Sequence, residues 1–164
     1  MRLVAGLLLG LTLTCSALAQ DRTQAFLLHA SAVNRFQLSA AQLALKKSQS
    51  PVVHGLAHQL KLDYTAAGMK LRHIVADSRL TMPRETLDAP HKELMDTLGR
   101  TAPGKTLSRA YFEAQEKTLP ADLAIFEAYG KSGDNDRLMS YAKDMLPLLR
   151  GQIEQVAKLR RELK

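Results

Sequence analysis

The chain has 164 residues, of which 46% are hydrophobic and 24% are charged, and its formal net charge is +7. A chain of this length suits one domain with one hydrophobic core. Tryptophan is absent and aromatic residues make up 5%, so nucleic acid is not an expected partner, because side chains that stack on bases are scarce.

The first residues have the pattern of a signal peptide. Arg2 supplies positive charge, residues 3–13 form a short apolar run, and Ala17 and Ala19 are the small residues that precede a cleavage site. We predict cleavage after Ala19, with residues 1–19 as the signal peptide and residues 20–164 as one domain. The mature chain is therefore expected to be periplasmic or secreted, without a transmembrane segment.

Cys15 is the single cysteine of the chain. The residues before it lack the leucine and the small residue of a lipobox, so lipid attachment is not expected. Its removal with the leader leaves neither a disulfide nor a thiol in the mature protein.

The first half of the mature chain predicts two long antiparallel helices. The first runs from Asp21 or Thr23 to about Lys47. The second starts with Ser50 as its N-cap and Pro51 in its first turn, and it ends near Ser78. Its apolar residues recur every three or four positions, so they form one face that must pack against other helices. These residues are Val53, Leu56, Ala57, Leu60, Tyr64, Ala67, Leu71 and Ile74.

The second half predicts a loop, a short helix over residues 90–98 and two more long helices. The third long helix covers residues 105–129 with a bend at Pro120, and the last runs from Asp134 or Asn135 to about Leu163 with a kink at Pro147. The inward faces of these two helices are expected to include Ile125 and Ile153. The sequence thus predicts an all-α fold, an up-down four-helix bundle with a short extra helix in the middle crossover.

The histidines provide only weak candidates for a metal site. His54 and His58 are four residues apart, a spacing at which two imidazoles can share a metal ion. Both lie off the apolar face and no third ligand is evident, so solvent exposure is the favoured interpretation. His29, His73 and His91 stand alone in the sequence and are interpreted as surface or half-buried side chains.

Four polar residues fall on the predicted inward faces of the four long helices: Gln37, Tyr64, Thr118 and Gln152. One interpretation is a neutral hydrogen-bonded layer across the core, because buried amides and hydroxyls need partners. The other is that each residue lies at the edge of its face and reaches water. The sequence supports both equally.

Four segments, in this order after a signal peptide, carry a resemblance to a known family. They are Gln42–Lys47, Leu62–Ala67, Arg109–Tyr111 and Leu146–Arg150. Together they resemble the bacterial exported family called domain of unknown function forty-one forty-two, from about Phe26 to Val156. The resemblance implies a ferritin-like four-helix fold in a periplasmic or outer-membrane protein.

The chain departs from this family at the positions where the resemblance implies metal ligands. Family members have a glutamate in place of Gln37, an Asp-His pair in place of Asp63 and Tyr64, and histidines in place of Leu119 and Gln152. Only Asp63 retains a side chain that binds metal. The chain is therefore expected to hold no metal at these positions and to need no cofactor.

The leading functional hypothesis is a non-enzymatic protein of the cell envelope that acts through its surface on a partner the sequence does not identify. Contact with an anionic surface is compatible with the net charge, but the basic residues are dispersed along the sequence and are interpreted as ordinary solvated residues. The alternative hypothesis is a ferritin-like metal-binding or redox protein of the periplasm, with a site such as His54 and His58.

Overall fold

The computed structural model describes the backbone of residues 12–162 and the side chains of residues 22–162. Within this range the chain forms five helices and no strand. They are α1 (Thr12–Lys47), α2 (Pro51–Asp77), α3 (Ala89–Arg100), α4 (Lys105–Ser132) and α5 (Asp136–Glu162). The prediction of an all-α bundle with a short helix in the middle crossover is confirmed.

Helix α1 begins earlier than predicted, at Thr12 instead of Asp21 or Thr23. No glycine or proline stands between Thr12 and Asp21, so nothing in this stretch stops a helix. The predicted cleavage position after Ala19 lies within α1, and residues 1–11 of the predicted signal peptide lie outside the described residues.

The start of α2 follows the predicted capping chemistry. Ser50 has extended backbone angles, and its hydroxyl accepts a hydrogen bond from the backbone N–H of Val53. Pro51 occupies the first turn, where backbone N–H groups have no acceptor within the helix, so the absence of an N–H in proline breaks no hydrogen bond. Helix α5 is capped in a related way, because the Asn135 side chain accepts a hydrogen bond from the backbone N–H of Leu138.

Long helices that pack side by side run antiparallel. Contacts between Ser48 and Ser108 and between Thr23 and Tyr129 set the direction of α1 against α4. Helix α2 packs on α1 and α5, and α5 packs on α4. Helices α2 and α4 consequently run in the same direction, so residues 78–104 travel the length of the bundle, with α3 packed against α1 and α4.

The core is apolar and follows most of the predicted inward positions, with exceptions in α2, α4 and α5. Ile125 is 40% exposed, so its predicted inward position is wrong. Ile74 and Ile153 are only half-buried. In α4 the inward face passes through Asp122 and Phe126, and Ile125, one residue before Phe126, is turned about 100° away around the helix axis.

No helix within the described part of the chain is long and apolar enough to cross a membrane.

Candidate functional site

Two histidines and two aspartates form a ring of short polar contacts inside the bundle, and we call these four residues the imidazole–carboxylate ring. The Nε2 atoms of His29 and His91 face the Asp122 carboxylate, at 3.2 Å from Oδ1 and 3.6 Å from Oδ2. Their Nδ1 atoms face the Asp88 carboxylate, at 3.5 Å from Oδ2 and 2.6 Å from Oδ1. Each carboxylate therefore lies between the two imidazoles.

Three helices and one helix cap position the ring. His29 comes from α1, His91 from the first turn of α3 and Asp122 from the middle of α4. Asp88 is the N-cap of α3, and its carboxylate also accepts a hydrogen bond from the backbone N–H of His91. The ring thus joins the crossover helix to two long helices of the bundle.

The ring is most deeply buried at Asp122 and His91, where the side chains are 2% and 3% exposed. The sequence-based interpretation of His91 as a surface or half-buried residue is therefore wrong. His29 is less buried, with 16% of its side chain exposed, and Asp88 reaches the surface with 35%. A charge at Asp122 needs compensation because burial in a low dielectric disfavours it.

The two imidazoles supply that compensation. Burial by itself raises the pKa of the Asp122 carboxyl, but the adjacent His29 and His91 outweigh it and hold this pKa below its usual value. Burial lowers the pKa of His91, yet the carboxylates of Asp122 and Asp88 outweigh burial and raise this pKa above its usual value. The ring therefore favours an ionised Asp122 and a protonated His91.

Three atoms of the ring have no hydrogen-bond partner despite these short distances: Nε2 of His29, Nε2 of His91 and Oδ2 of Asp122. They lie at ion-pair distance without the alignment of a hydrogen bond. Within residues 22–162, however, no group of three or more His, Cys, Asp or Glu side chains is arranged to hold a metal ion. The ring as it stands is a set of ion pairs between helices.

A second group of buried polar residues in the core consists of neutral side chains. The Tyr64 hydroxyl donates to Oε1 of Gln152 at 2.9 Å, and Nε2 of Gln115 donates to Oε1 of Gln37 at 2.9 Å. All four side chains are at most 3% exposed. Of the two interpretations left open by the sequence, the structure thus favours a buried, hydrogen-bonded layer, made of two pairs.

Thr118, the remaining polar residue of the predicted inward faces, is satisfied within its own helix. The Thr118 hydroxyl donates to the backbone carbonyl of Ala114 in its own helix. Burial, followed by the nearby charge of Asp122, raises the pKa of Tyr64 well above its usual value. Tyr64 is therefore a neutral hydrogen-bond donor throughout the physiological pH range.

Two of the family-like ligand positions are in contact in the core, and Asp63 has its hydrogen-bond partner on the outer side of α2. Tyr64 and Gln152 meet, Gln37 pairs with Gln115 instead, and Leu119 is fully buried among apolar side chains. Asp63 is half-buried and accepts a hydrogen bond from Gln59 on the outer side of α2.

The predicted histidine pair and the remaining single histidine lie outside the core. His54 is half-buried, with its Nε2 atom 2.7 Å from the backbone oxygen of Ser48. His58 and His73 are exposed. The structure brings no third protein ligand to His54 and His58 within the described residues.

A cavity of about 810 Å³ opens at the end of the bundle where α1 turns into α2. The first turns of α4 contribute Lys105, Arg109 and Glu113 to its wall, and the end of α5 contributes Arg160. Arg160 is paired with Glu113 and Glu116.

The ring was missed in the sequence because its members are far apart along the chain. One signal was present: Asp122 lies four residues after Thr118 and four before Phe126, so a carboxylate occupies the inward face of α4. A charge on an inward face requires a partner, and histidine, lysine and arginine are the residues that can supply it. The pairing of His29 and His91 with Asp122 follows only from the packing of α1, α3 and α4.

Comparison with known proteins agrees with the resemblance seen in the sequence. No curated protein and no solved structure matches the chain. A family model described as "Domain of unknown function (DUF4142)" matches residues 12–159, which is nearly the whole described chain. The chain therefore belongs to the DUF4142 family.

Proposed function

We propose that this chain is an exported protein of the cell envelope that acts through its surface as a binding protein and not as an enzyme. The observation that carries the proposal is the mutual engagement of the ionisable groups in the core. Both nitrogens of His29 and of His91 face carboxylates, so neither imidazole directs a free nitrogen toward a substrate. A histidine acts as a general acid or base only through a nitrogen within reach of the reacting group.

The surface offers better prospects for binding than the core. The cavity of about 810 Å³ is within the size range of small-molecule sites and opens at one end of the bundle. The signal-peptide pattern of residues 1–19 supports export, since Arg2, the apolar run and Ala17–Ala19 stand in the order that signal peptidase requires.

Intact-mass measurement of the protein in fractionated cells tests the export part of the proposal. We expect a chain that begins at Gln20 in the periplasmic or secreted fraction. A full-length chain retained in the cytoplasm would contradict export, and a lipid adduct on Cys15 would contradict cleavage after Ala19. Crosslinking in the native envelope followed by mass spectrometry tests the surface part, and we expect crosslinks from surface lysines to an envelope component.

A metal-binding or redox role is the second candidate, and the unpartnered ring atoms favour it. His29 Nε2, His91 Nε2 and Asp122 Oδ2 are buried and turned toward one another. Asp88 holds both Nδ1 atoms, as outer carboxylates do for histidines that bind metal. The side chains would have to move closer together, because their present arrangement is not that of a metal site.

Metal analysis of protein purified without a histidine tag separates the two candidates. Stoichiometric metal that disappears in Asp122→Asn would establish the second candidate and overturn the first. A His58→Gln variant is the matched control, since His58 is exposed and lies outside the ring. We expect no stoichiometric metal in any of the three proteins.

A further inference from the structure

One end of the bundle collects basic residues from four helix ends that are distant in sequence. The ends of α1, α3 and α4 are joined there, because Nζ of Lys47 donates to the Gly99 carbonyl and the Gly104 N–H lies 3.4 Å from the Lys47 carbonyl oxygen. The last turns of α5 reach the same end through Arg160. We call it the basic end and define it by Lys46, Lys47, Arg100, Lys105, Arg109, Lys158, Arg160 and Arg161.

The basic end has an excess of positive charge. Against its eight basic residues, five carboxylates of the described chain lie in these helix ends or in the adjacent turns: Asp96, Glu113, Glu116, Glu154 and Glu162. Two of these, Glu113 and Glu116, are engaged by the single side chain of Arg160. The sequence suggested dispersed basic residues, because the convergence of four helix ends is a property of the folded bundle.

Elsewhere on the bundle, ion pairs between segments distant in sequence offset several exposed cations. Arg22 pairs with Asp134 at 3.3 Å and Arg137 with Asp77 at 3.1 Å. Further pairs join Lys70 to Asp144 and Arg150 to Glu127, at 2.6 Å and 2.7 Å. The electrostatic potential is therefore expected to be most positive at the basic end.

The cavity of about 810 Å³ lies within the basic end and is lined by three of its cations, Lys105, Arg109 and Arg160. No carboxylate of the described residues lies within ion-pair distance of Lys105 or Arg109. Ser50 and Gln49 add hydroxyl and amide groups to the wall. Glu113 also lines the cavity, where it pairs with Arg160. An anionic group that enters would therefore meet Lys105 and Arg109, which have no carboxylate at ion-pair distance, together with additional hydrogen-bonding groups.

We propose that the basic end binds an anionic phospholipid surface and that the cavity receives the phosphate of one headgroup beside Lys105 and Arg109. The proposal rests on the proposed function, because a protein of the envelope meets such surfaces. Basic residues spread over the ends of four helices match an array of phosphates better than one small anion. Juxtamembrane clusters of four to eight Lys or Arg residues are typical of proteins that bind anionic lipid.

Sedimentation of the purified protein with lipid vesicles tests this inference. We expect binding to vesicles that contain phosphatidylglycerol, no binding to vesicles of phosphatidylcholine alone, and a loss of binding as sodium chloride is raised. The salt dependence follows because exposed charges are screened over about 10 Å at 0.1 M ionic strength. Absence of binding to the anionic vesicles at low salt would overturn the proposal.

Two double variants distinguish vesicle binding through the basic end from attraction by the overall positive charge of the protein. Lys105→Gln with Arg109→Gln should raise the Kd for the anionic vesicles by about tenfold or more, since each basic residue near such a surface contributes measurably to binding. Lys131→Gln with Lys143→Gln removes the same charge from exposed positions away from the basic end and should change the Kd by no more than about twofold. Equal losses in the two double variants would contradict the proposal.

Titration with inorganic phosphate separates a lipid surface from a free anion. Saturable phosphate binding without vesicle binding would assign the cavity to a soluble phosphate compound and overturn the lipid proposal. Vesicle sedimentation tests only the lipid proposal, whereas intact mass and crosslinking test the proposed function. A protein that is exported and crosslinked but binds no vesicles would overturn the lipid proposal alone.

Discussion

The Nδ1 atom of His91 lies 2.6 Å from Oδ1 of Asp88, the same oxygen that caps the first turn of the helix carrying His91. One carboxylate thus starts helix α3 and fixes the ring of a histidine within that helix. His91 then reaches across to Asp122 of α4, and Asp122 to His29 of α1. These contacts attach the crossover to the bundle. The stability of the protein should therefore depend on pH through the ionisation of His91 and Asp122.

We expect thermal stability to be greatest between about pH 4 and pH 6.5. The pKa of His91 is raised in the folded protein, so its contribution is complete below the ordinary value of 6.5 and is lost as the pH rises through the raised pKa. The pKa of Asp122 is lowered, so its contribution is complete above the ordinary value of 3.8 and is lost as the pH falls through the lowered pKa. Both contributions are complete together only between these limits.

The melting temperature, followed by circular dichroism from pH 4 to pH 9, measures this dependence. His91→Gln should flatten the alkaline side of the curve, because the titrating group is removed. The exposed His58→Gln variant should keep the parental curve. An unchanged alkaline slope in His91→Gln would show that the ring does not control the dependence.

Tyr64→Phe should lower the free energy of unfolding by about 1–3 kcal/mol, because it leaves the buried Gln152 carbonyl without its donor. The matched control is Tyr111→Phe, since the Tyr111 hydroxyl is buried and has no hydrogen-bond partner in the described structure. Its removal should be close to neutral or stabilising. Urea denaturation measures the free energy of unfolding of both variants. Equal losses would show that the effect comes from side-chain packing and not from the hydrogen bond to Gln152.

Leu60→Ala should destabilise the protein by about 2–5 kcal/mol, because Leu60 is fully buried on the inward face of α2 and its truncation leaves a cavity. Leu62→Ala is the control in the same helix, where the side chain is 58% exposed, and it should change stability by less than about 0.5 kcal/mol. Chemical denaturation measures both. A loss below about 0.5 kcal/mol for Leu60→Ala would contradict the packing of this face.

Gly68→Ala should destabilise although alanine is the better helix former. A Cβ atom at Gly68 would lie 2.6 Å from Nδ2 of Asn34, so the Asn34 side chain of α1 must move. The control Gly55→Ala lies in the same helix with nothing within 4 Å of its added Cβ and should stabilise by up to about 1 kcal/mol. Thermal melting compares the melting temperatures of the two variants. A higher melting temperature for Gly68→Ala would show that the Asn34 side chain moves without destabilising the protein.

The family-like metal positions can be tested by restoring their ligands together. The variant Gln37→Glu, Tyr64→His, Leu119→His and Gln152→His places one carboxylate and three imidazoles on four helices at positions that are all buried. Without metal it should melt below the parent, because it buries an ionisable group and loses the packing of Leu119. If the positions converge, zinc or manganese should raise its melting temperature.

A three-ligand version that retains Gln152 is the control and should respond less to metal. Calorimetry supplies the second measurement. A folded four-ligand variant that neither binds metal nor shifts its melting temperature would show that these positions do not meet, and that the family geometry does not apply to this chain.

Much of the fold followed from local patterns in the sequence. The Ser50 cap, the apolar face from Val53 to Leu71 and the all-α class depend on neighbours within one or two helical turns, and the structure contains each of them. Errors arose where a local pattern had two solutions. The sequence predicted Ile125 on the inward face of α4, whereas the structure places Asp122 and Phe126 there and exposes Ile125.

The sequence by itself determined the class of fold, most helix boundaries and the family, because capping, periodicity and segment order are written along the chain. Tertiary structure alone decided the ring and the basic end. Asp122 is 31 residues from His91 and 93 from His29, and the basic end gathers residues from Lys46 to Arg161. Such contacts depend on how each helix is rotated and paired, and packing across the whole core sets that choice.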